Sequence, residues 1–190
     1  MDNFKKHFIK DNIEDIEKNN WERFYSNLNA EANDAYRLSD VTSMLLQAGI
    51  NPLNYIESVP VYYLYKQNID KMFLPKNIKT IKYYAFGQCR NLNHINLENV
   101  DLIGRKAFEF CDDLDIVQLK DHVKVYDNAF ESCVITKLIL PNNFIFEKDS
   151  FLGTVVDEII YDGTEEEYKT LTNHLNSSAL TLPHQIKYLR

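Results

Sequence analysis

The dipeptide Ala85-Phe86 recurs as Ala107-Phe108 and Ala129-Phe130, then in looser form as Ser150-Phe151. The first two steps are 22 residues long and the third is 21. Three residues after each Phe stands Cys89, Cys111, Cys133 and finally Thr154. An apolar triplet follows each time: Leu92, Ile95, Leu97; Leu114, Val117, Leu119; Ile135, Leu138, Leu140; Val156, Ile159, Tyr161. A weaker copy with Ile69, Met72 and Leu74 precedes them. Self-similarity at such a period means stacked coils, in which no repeat buries its own apolar face and each neighbour supplies the cover.

The triplets read as LxxLxL, the core phrase of a leucine-rich coil. Apolar and polar residues alternate around them, as in Ile95-Asn96-Leu97, which is the pattern of a short strand with one buried face. Successive strands pair in parallel about 4.8 Å apart, so five of them make a sheet roughly 20 Å wide. Residues Ile78 and Ile81, Val100 and Ile103, Val123 and Val125, and Phe144 and Phe146 line the opposite wall. The Phe of each Ala-Phe pair fills the middle. Tyr63-Leu64 takes the place of Ala-Phe one repeat early, which marks the degenerate first copy as a cap repeat.

Residues 1–58 follow other rules. Phe4, Phe8, Ile9, Ile13 and Ile16 share one face at helical spacing, and Trp21, Phe24, Tyr25 and Leu28 make a second. A third helix is expected over 38–48, with Ser39 or Asp40 as N-cap and Gly49 at the left-handed C-terminal position. Asn51-Pro52 starts a fresh turn with Leu53, Tyr55 and Ile56, and Pro60 stops it. The helices after Trp21 plug the open end of the solenoid. The stripe of 1–18 is the segment best suited to another subunit or a partner. At the far end Thr164 and Glu167 form a capping box for a helix to about Leu171, and residues 186–189 add a last strand. The expected architecture is therefore α+β: a helical region over 1–58, about five repeats over 59–163 with parallel strands on one face, and a C-terminal cap over 164–190.

Composition narrows what such a scaffold does. A net charge of −7 and a pI near 5.2 leave no broad basic footprint for nucleic acid, and an acidic mimic of nucleic acid ranks third among the readings. No apolar run approaches the roughly 18 residues of a membrane span, and the lysines of the N-terminus are not followed by a signal-peptide core. The three cysteines share one repeat position, which suits a column of small buried side chains better than zinc, and no CxxC pairing exists. His7, His94, His122, His174 and His184 show no ligand spacing, and Asp112, Asp113 and Asp115 lack a calcium-loop glycine. With five glycines and no phosphate-binding phrase, the chain is expected to be no enzyme and to hold no cofactor or metal.

What remains is a surface. Between the buried positions, Phe73, Asn96, Gln118, Ile139 and Ile160 form one outward column, and Lys71, His94, Ile116, Lys137 and Glu158 the adjacent one. Apolar residues flanked by polar ones suit a protein partner, with Phe73, Ile116, Ile139 and Ile160 as anchors. Phe4 and Phe8 are the candidates on the N-terminal helix.

The phrase IKYYAFGQCRNLNHINL at 81–97, in register with its copies, resembles the BspA-like (Treponema-type) leucine-rich repeats, and the closing YDGTEEEY at 161–168 is similar to an ending seen among them. The resemblance covers about 59–170. It implies the coil fold and, across bacterial surface proteins, protists and phage-encoded proteins, a binding surface without catalysis. Unlike the surface-protein version, this sequence shows no leader, wall anchor or long array, so a cytoplasmic protein is expected. The segment QAGINPLNYIESVP at 47–60 is similar to lead-ins of short phage and bacterial repeat proteins. The expected function is a non-enzymatic binding protein of bacterial or phage origin, an inhibitor or adaptor that occludes a host enzyme or defence complex. The alternative is a self-assembling structural protein, with a homodimer through the N-terminal helices.

Overall fold

The computed structural model describes residues 7, 9–26, 32–173 and 185–190, without the side chains of 32–36. Phe4, Phe8 and Leu28 lie outside the described residues. Along the repeats the chain forms strands β1 (Ser58–Val59), β2 (Lys71–Met72), β3 (Thr80–Ile81), β4 (His94–Ile95), β5 (Leu102–Ile103) and β6 (Leu114–Gln118). Next come β7 (Lys124–Val125), β8 (Val134–Leu140), β9 (Ile145–Phe146), β10 (Val155–Tyr161) and β11 (Gln185–Tyr188). All pairings are parallel.

Parallel strands form the expected triplet face of each coil, and further short strands form a second wall. The even-numbered strands and β11 build the triplet wall, in the order β11-β10-β8-β6 with β4 and β2 continuing it. A backbone bond from Asp115 N–H to the Asn93 carbonyl, 2.9 Å, joins β6 to the β4 turn. The odd-numbered strands β1, β3, β5, β7 and β9 pair along the second wall, where Ile78, Ile81, Val100, Ile103, Val123 and Val125 are fully buried. Phe144 and Phe146 close that wall half-buried, their rings stacked 4.0 Å apart. Two-residue strands leave little pattern in a sequence, because alternation needs several residues to show.

The third side of each coil is the Ala-Phe segment, and it too is bonded to its neighbours. Phe86 N–H donates to the Ala107 carbonyl at 2.9 Å, Phe108 to Ala129 at 2.8 Å, and Phe130 to Ser150 at 2.8 Å. This wall turns through pairs of left-handed residues: Tyr62, Tyr84, Lys106 and Asn128 at one position, and Lys66, Gln88, Phe110 and Ser132 at the other, all with φ between 52° and 59°. Such a φ costs an L-residue roughly 1–2 kcal/mol. The inter-coil bonds offset that cost. Glycine takes the role at Gly153, with φ +68°.

Inside the three walls the phenylalanines stack. Ring centroids of Phe86 and Phe108 lie 5.5 Å apart, and those of Phe108–Phe130 and Phe130–Phe151 5.0 Å apart, with planes within 11° of parallel. Beside them runs the thiol column. Cys89 Sγ donates to the Leu64 carbonyl at 3.0 Å, Cys111 to Phe86 at 3.3 Å, Cys133 to Phe108 at 3.0 Å, and the Thr154 hydroxyl to Phe130. All three cysteines are free and buried. Burial pushes the Cys89 thiol up to about 12 and raises Cys111 and Cys133 as well.

Helices α1 (Ile13–Glu17), α2 (Trp21–Ser26) and α3 (Ala32–Gln47) cover the first coil. Trp21, Phe24, Tyr25, Leu38, Val41 and Leu45 join the same buried cluster as the repeats. Tyr25 and Tyr63 meet at 5.8 Å, and Tyr63 abuts Phe86 at 6.3 Å. Two expectations need correction here. The third helix starts at Ala32, so Ser39 and Asp40 lie inside it. Neither is an N-cap, and both accept hydrogen bonds from Gln67 Nε2, at 3.2 and 3.0 Å. Ile13 points outward at 47 % exposure while Asp15 is buried, because Asp15 takes Asn20 Nδ2 at 3.3 Å and Arg23 at 3.7 Å. Gly49, with φ +79°, ends α3 as expected, and Ile50 N–H closes onto the Leu45 carbonyl at 2.9 Å. At the other end α4 (Glu165–Thr172) carries the expected capping box, Glu167 N–H to Thr164 Oγ1 at 3.2 Å. The last strand begins one residue earlier than expected, at Gln185, and pairs with β10.

Candidate protein-binding surface

Strand register builds this surface from the outward residues of the triplet wall. Lys71 pairs with His94, Ile116 with Lys137, and Lys137 with Glu158. In the neighbouring column Gln118 pairs with Ile139, and Ile139 with Ile160. The β10–β11 register then adds Gln185 and Lys187 as a further rung to the two columns. The register thus aligns Ile116, Lys137 and Glu158 in one column, Gln118, Ile139 and Ile160 in the next, and Lys71 with His94 further along, while Phe73 and Asn96 directly follow β2 and β4.

Their surroundings differ. Phe73 is 65 % exposed and Ile116 43 % exposed, whereas Ile139 and Ile160 are half-buried. The Phe73 and His94 rings touch at 5.1 Å, which fixes the orientation of both. Lys137 and Glu158 neutralise one another across neighbouring coils at 2.8 Å. The Asn96 side chain bridges two coils, accepting from Leu74 N–H at 2.7 Å and donating to its carbonyl at 3.0 Å. It replaces the ladder bonds that the two-residue strands β2 and β4 are too short to make. Gln118 remains exposed. Sequence reading did not find Val134 and Val155, which pair in register at the start of β8 and β10 and are 42 % and 52 % exposed. The extra outward residue before each triplet was the available signal.

The rest of the described surface offers little chemistry. Among the described residues, no three His, Cys, Asp or Glu side chains gather where a metal would sit. Asp112 is bound to Arg90 at 2.6 Å. A cleft of about 690 Å³ lies between α2 and the first coil, lined by Trp21, Tyr25, Pro60 and Lys82 among others. No helix among the described residues is long and apolar enough to cross a membrane.

A coil of three walls, with aligned phenylalanines and an LxxLxL strand in each turn, defines a leucine-rich-repeat solenoid, a scaffold of the protein–protein interaction class. The family model for the BspA type leucine-rich repeat region matches residues 46–156 in six copies, more than half of the chain. The chain belongs to that family. The match opens at the end of α3, upstream of the first recognisable triplet. Among curated proteins and among solved structures, nothing matches this chain.

Proposed function

We propose that this protein is a non-enzymatic binding module whose triplet wall takes a protein partner, with Phe73 and Ile116 as anchors. The observation that carries this reading is the exposure of those two side chains in columns where Lys137 and Glu158 are paired and Ile139 and Ile160 half-buried. Anchors of this kind gain the full value of burial on binding, about 25 cal/mol for each Å² of apolar area. His94, Gln118, Lys137, Glu158, Ile139 and Ile160 form the surrounding contact area, and Asn96 holds the two coils under Phe73 together. The action is occlusion, as an adaptor or inhibitor in a bacterial or phage-infected cytoplasm, against a host enzyme or defence complex. Helices within 1–58 act as cap, and Phe4 and Phe8 stay candidates for a partner on the strength of the sequence.

The test is affinity capture from lysate of the native cell, with wild type and Phe73→Ala/Ile116→Ala side by side. A specific partner should be retained by wild type and lost by the variant, while both melt within about 0.5 kcal/mol of each other, as exposed substitutions do. Recovery of no partner at micromolar bait, or of the same partner by both proteins, overturns the reading. The exposed Ile13 favours one further reading, self-assembly through the N-terminal segment. Light scattering separates the two, because removing residues 1–18 dissolves an oligomer and leaves a monomeric binder unchanged.

A further inference from the structure

The Ala-Phe wall has a polarity of its own. Its first three turns, 60–66, 82–88 and 104–110, carry Lys66, Lys82, Arg105 and Lys106 against one carboxylate, Glu109. Four cations less one anion leave +3, in a chain whose total is −7. The next two turns reverse the sign, with Asp127 and Glu131, then Glu147 and Asp149 against Lys148. The basic end is therefore a local feature of one wall.

That end also carries an aromatic cluster. Backbone bonds from Tyr62 N–H to the Tyr83 carbonyl, 3.1 Å, and from Tyr84 N–H to Arg105, 3.4 Å, set three coils side by side. The Tyr62 and Tyr84 rings stack at 5.5 Å, Tyr83 meets Tyr84 edge-on at 4.5 Å, and Tyr83 meets Tyr62 edge-on at 5.6 Å. Gly87 makes room, since a Cβ there would collide with the Tyr84 ring. Tyr83 is 39 % exposed. Lys106 is held by Glu109 and, at 3.6 Å, by Glu131. Lys82, next to Tyr83 in the same turn, and Arg105, one coil further on, are exposed and have no ion-pair partner among the described residues.

We propose that Tyr62, Tyr83 and Tyr84, with Lys82 and Arg105, form a second docking surface that receives an acidic segment of a protein partner. Tyr62 and Tyr84 stack on one another and Lys106 Nζ lies over the Tyr84 ring at 5.6 Å, so Tyr83 is the exposed ring of the cluster. Ring edges and phenolic hydroxyls attract anions, whereas a nucleobase needs an open face to stack on. Burial pushes the Tyr62 and Tyr84 phenols up to about 12, which keeps their protons in place. Two unpaired cations beside them complement carboxylates. A second copy of the chain is the weaker fit. The acidic turns that would have to meet it in a second copy spend carboxylates on ion pairs of their own, Glu131 with Lys106 at 3.6 Å and Glu147 with Lys124 at 4.0 Å.

The test uses a fluorescein-labelled twelve-residue polyglutamate, its polyglutamine counterpart and a twelve-nucleotide oligothymidine, followed by fluorescence anisotropy with the full chain. Polyglutamate should bind saturably at low salt and be released at high salt. Lys82→Gln/Arg105→Gln should weaken it about fivefold or more, and Tyr83→Ala should weaken it as well. Phe73→Ala/Ile116→Ala, on a different wall, should leave it unchanged, so this surface and the triplet wall stand or fall separately. The inference is overturned if polyglutamine binds as well, if oligothymidine binds more tightly, or if the Lys82/Arg105 variant binds polyglutamate like wild type. It is equally overturned if sedimentation shows a salt-sensitive dimer of the chain alone that this variant abolishes, since the surface then serves a second copy.

Discussion

Each thiol of the cysteine column is a structural donor, and its chemistry follows from where it sits. A buried S–H aimed at a carbonyl of the preceding coil is neutral and shielded, so it is neither nucleophile nor ligand. Native protein should therefore leave all three cysteines unlabelled by a disulfide reagent at pH 8, and unfolded protein should label three. Stability carries the same signature. The folded state raises the thiol above its ordinary value of about 9, so the stability it contributes is fully present below pH 9. It is lost as pH rises toward 12, by at most roughly 1.4 kcal/mol per pH unit for each thiol. Cys133→Thr borrows the residue already used at Thr154, keeps the carbonyl bond, and should lower that slope by one thiol in melts from pH 8 to 10. An unchanged slope would mean that other groups carry the alkaline loss.

At the scale of the coil, the phenylalanine stack ties each turn to the next. Phe108 is fully buried between Phe86 and Phe130. Its truncation removes contacts on both sides, so Phe108→Ala should cost about 3–5 kcal/mol in urea unfolding. The end of the stack, Phe151, also rests on Phe146 at 5.0 Å. A cost for Phe108→Ala below about 1 kcal/mol would show that the coils do not share a core. The walls around the stack were legible to different degrees. The triplet wall announces itself by alternation from Ile135 to Leu140, whereas the second wall is made of pairs such as Thr80 and Ile81. The Ala-Phe wall hides in left-handed residues that are Tyr, Lys, Asn, Gln, Phe and Ser, with glycine in the role at Gly153.

For the whole molecule, the joint between helices and solenoid decides how the open end is closed. Tyr63 fills the place of an alanine because no earlier coil lies beneath it, and Tyr25 does instead. The Tyr63 hydroxyl is buried with no hydrogen-bond partner among the described residues. Losing an orphaned hydroxyl removes a desolvation cost, so Tyr63→Phe should stabilise the protein by about 1 kcal/mol, read as a raised urea midpoint with an unchanged slope. A destabilised variant would instead reveal that the hydroxyl is satisfied. The same joint explains the longer α3: a sequence reader sees Ser39 and Asp40 as helix-starting residues, but Gln67 of the first coil engages both from outside.

Spacing alone determined that the chain coils, where each Phe and Cys lies in the coil, and which strand residues face outward, because a solenoid translates equal sequence intervals into vertical alignment. Register confirms the columns from Ile116 to Glu158 and from Gln118 to Ile160. Tertiary structure decided the rest. It set which outward residues stay open, as Phe73 does, and which are spent on neighbours, as Asn96 is. It also gathered Tyr62, Tyr83, Tyr84, Lys82 and Arg105 at one end of a wall that the repeat pattern does not show. Side-chain partnership and left-handed turns depend on what the adjacent coil presents, and a period by itself carries no information about that.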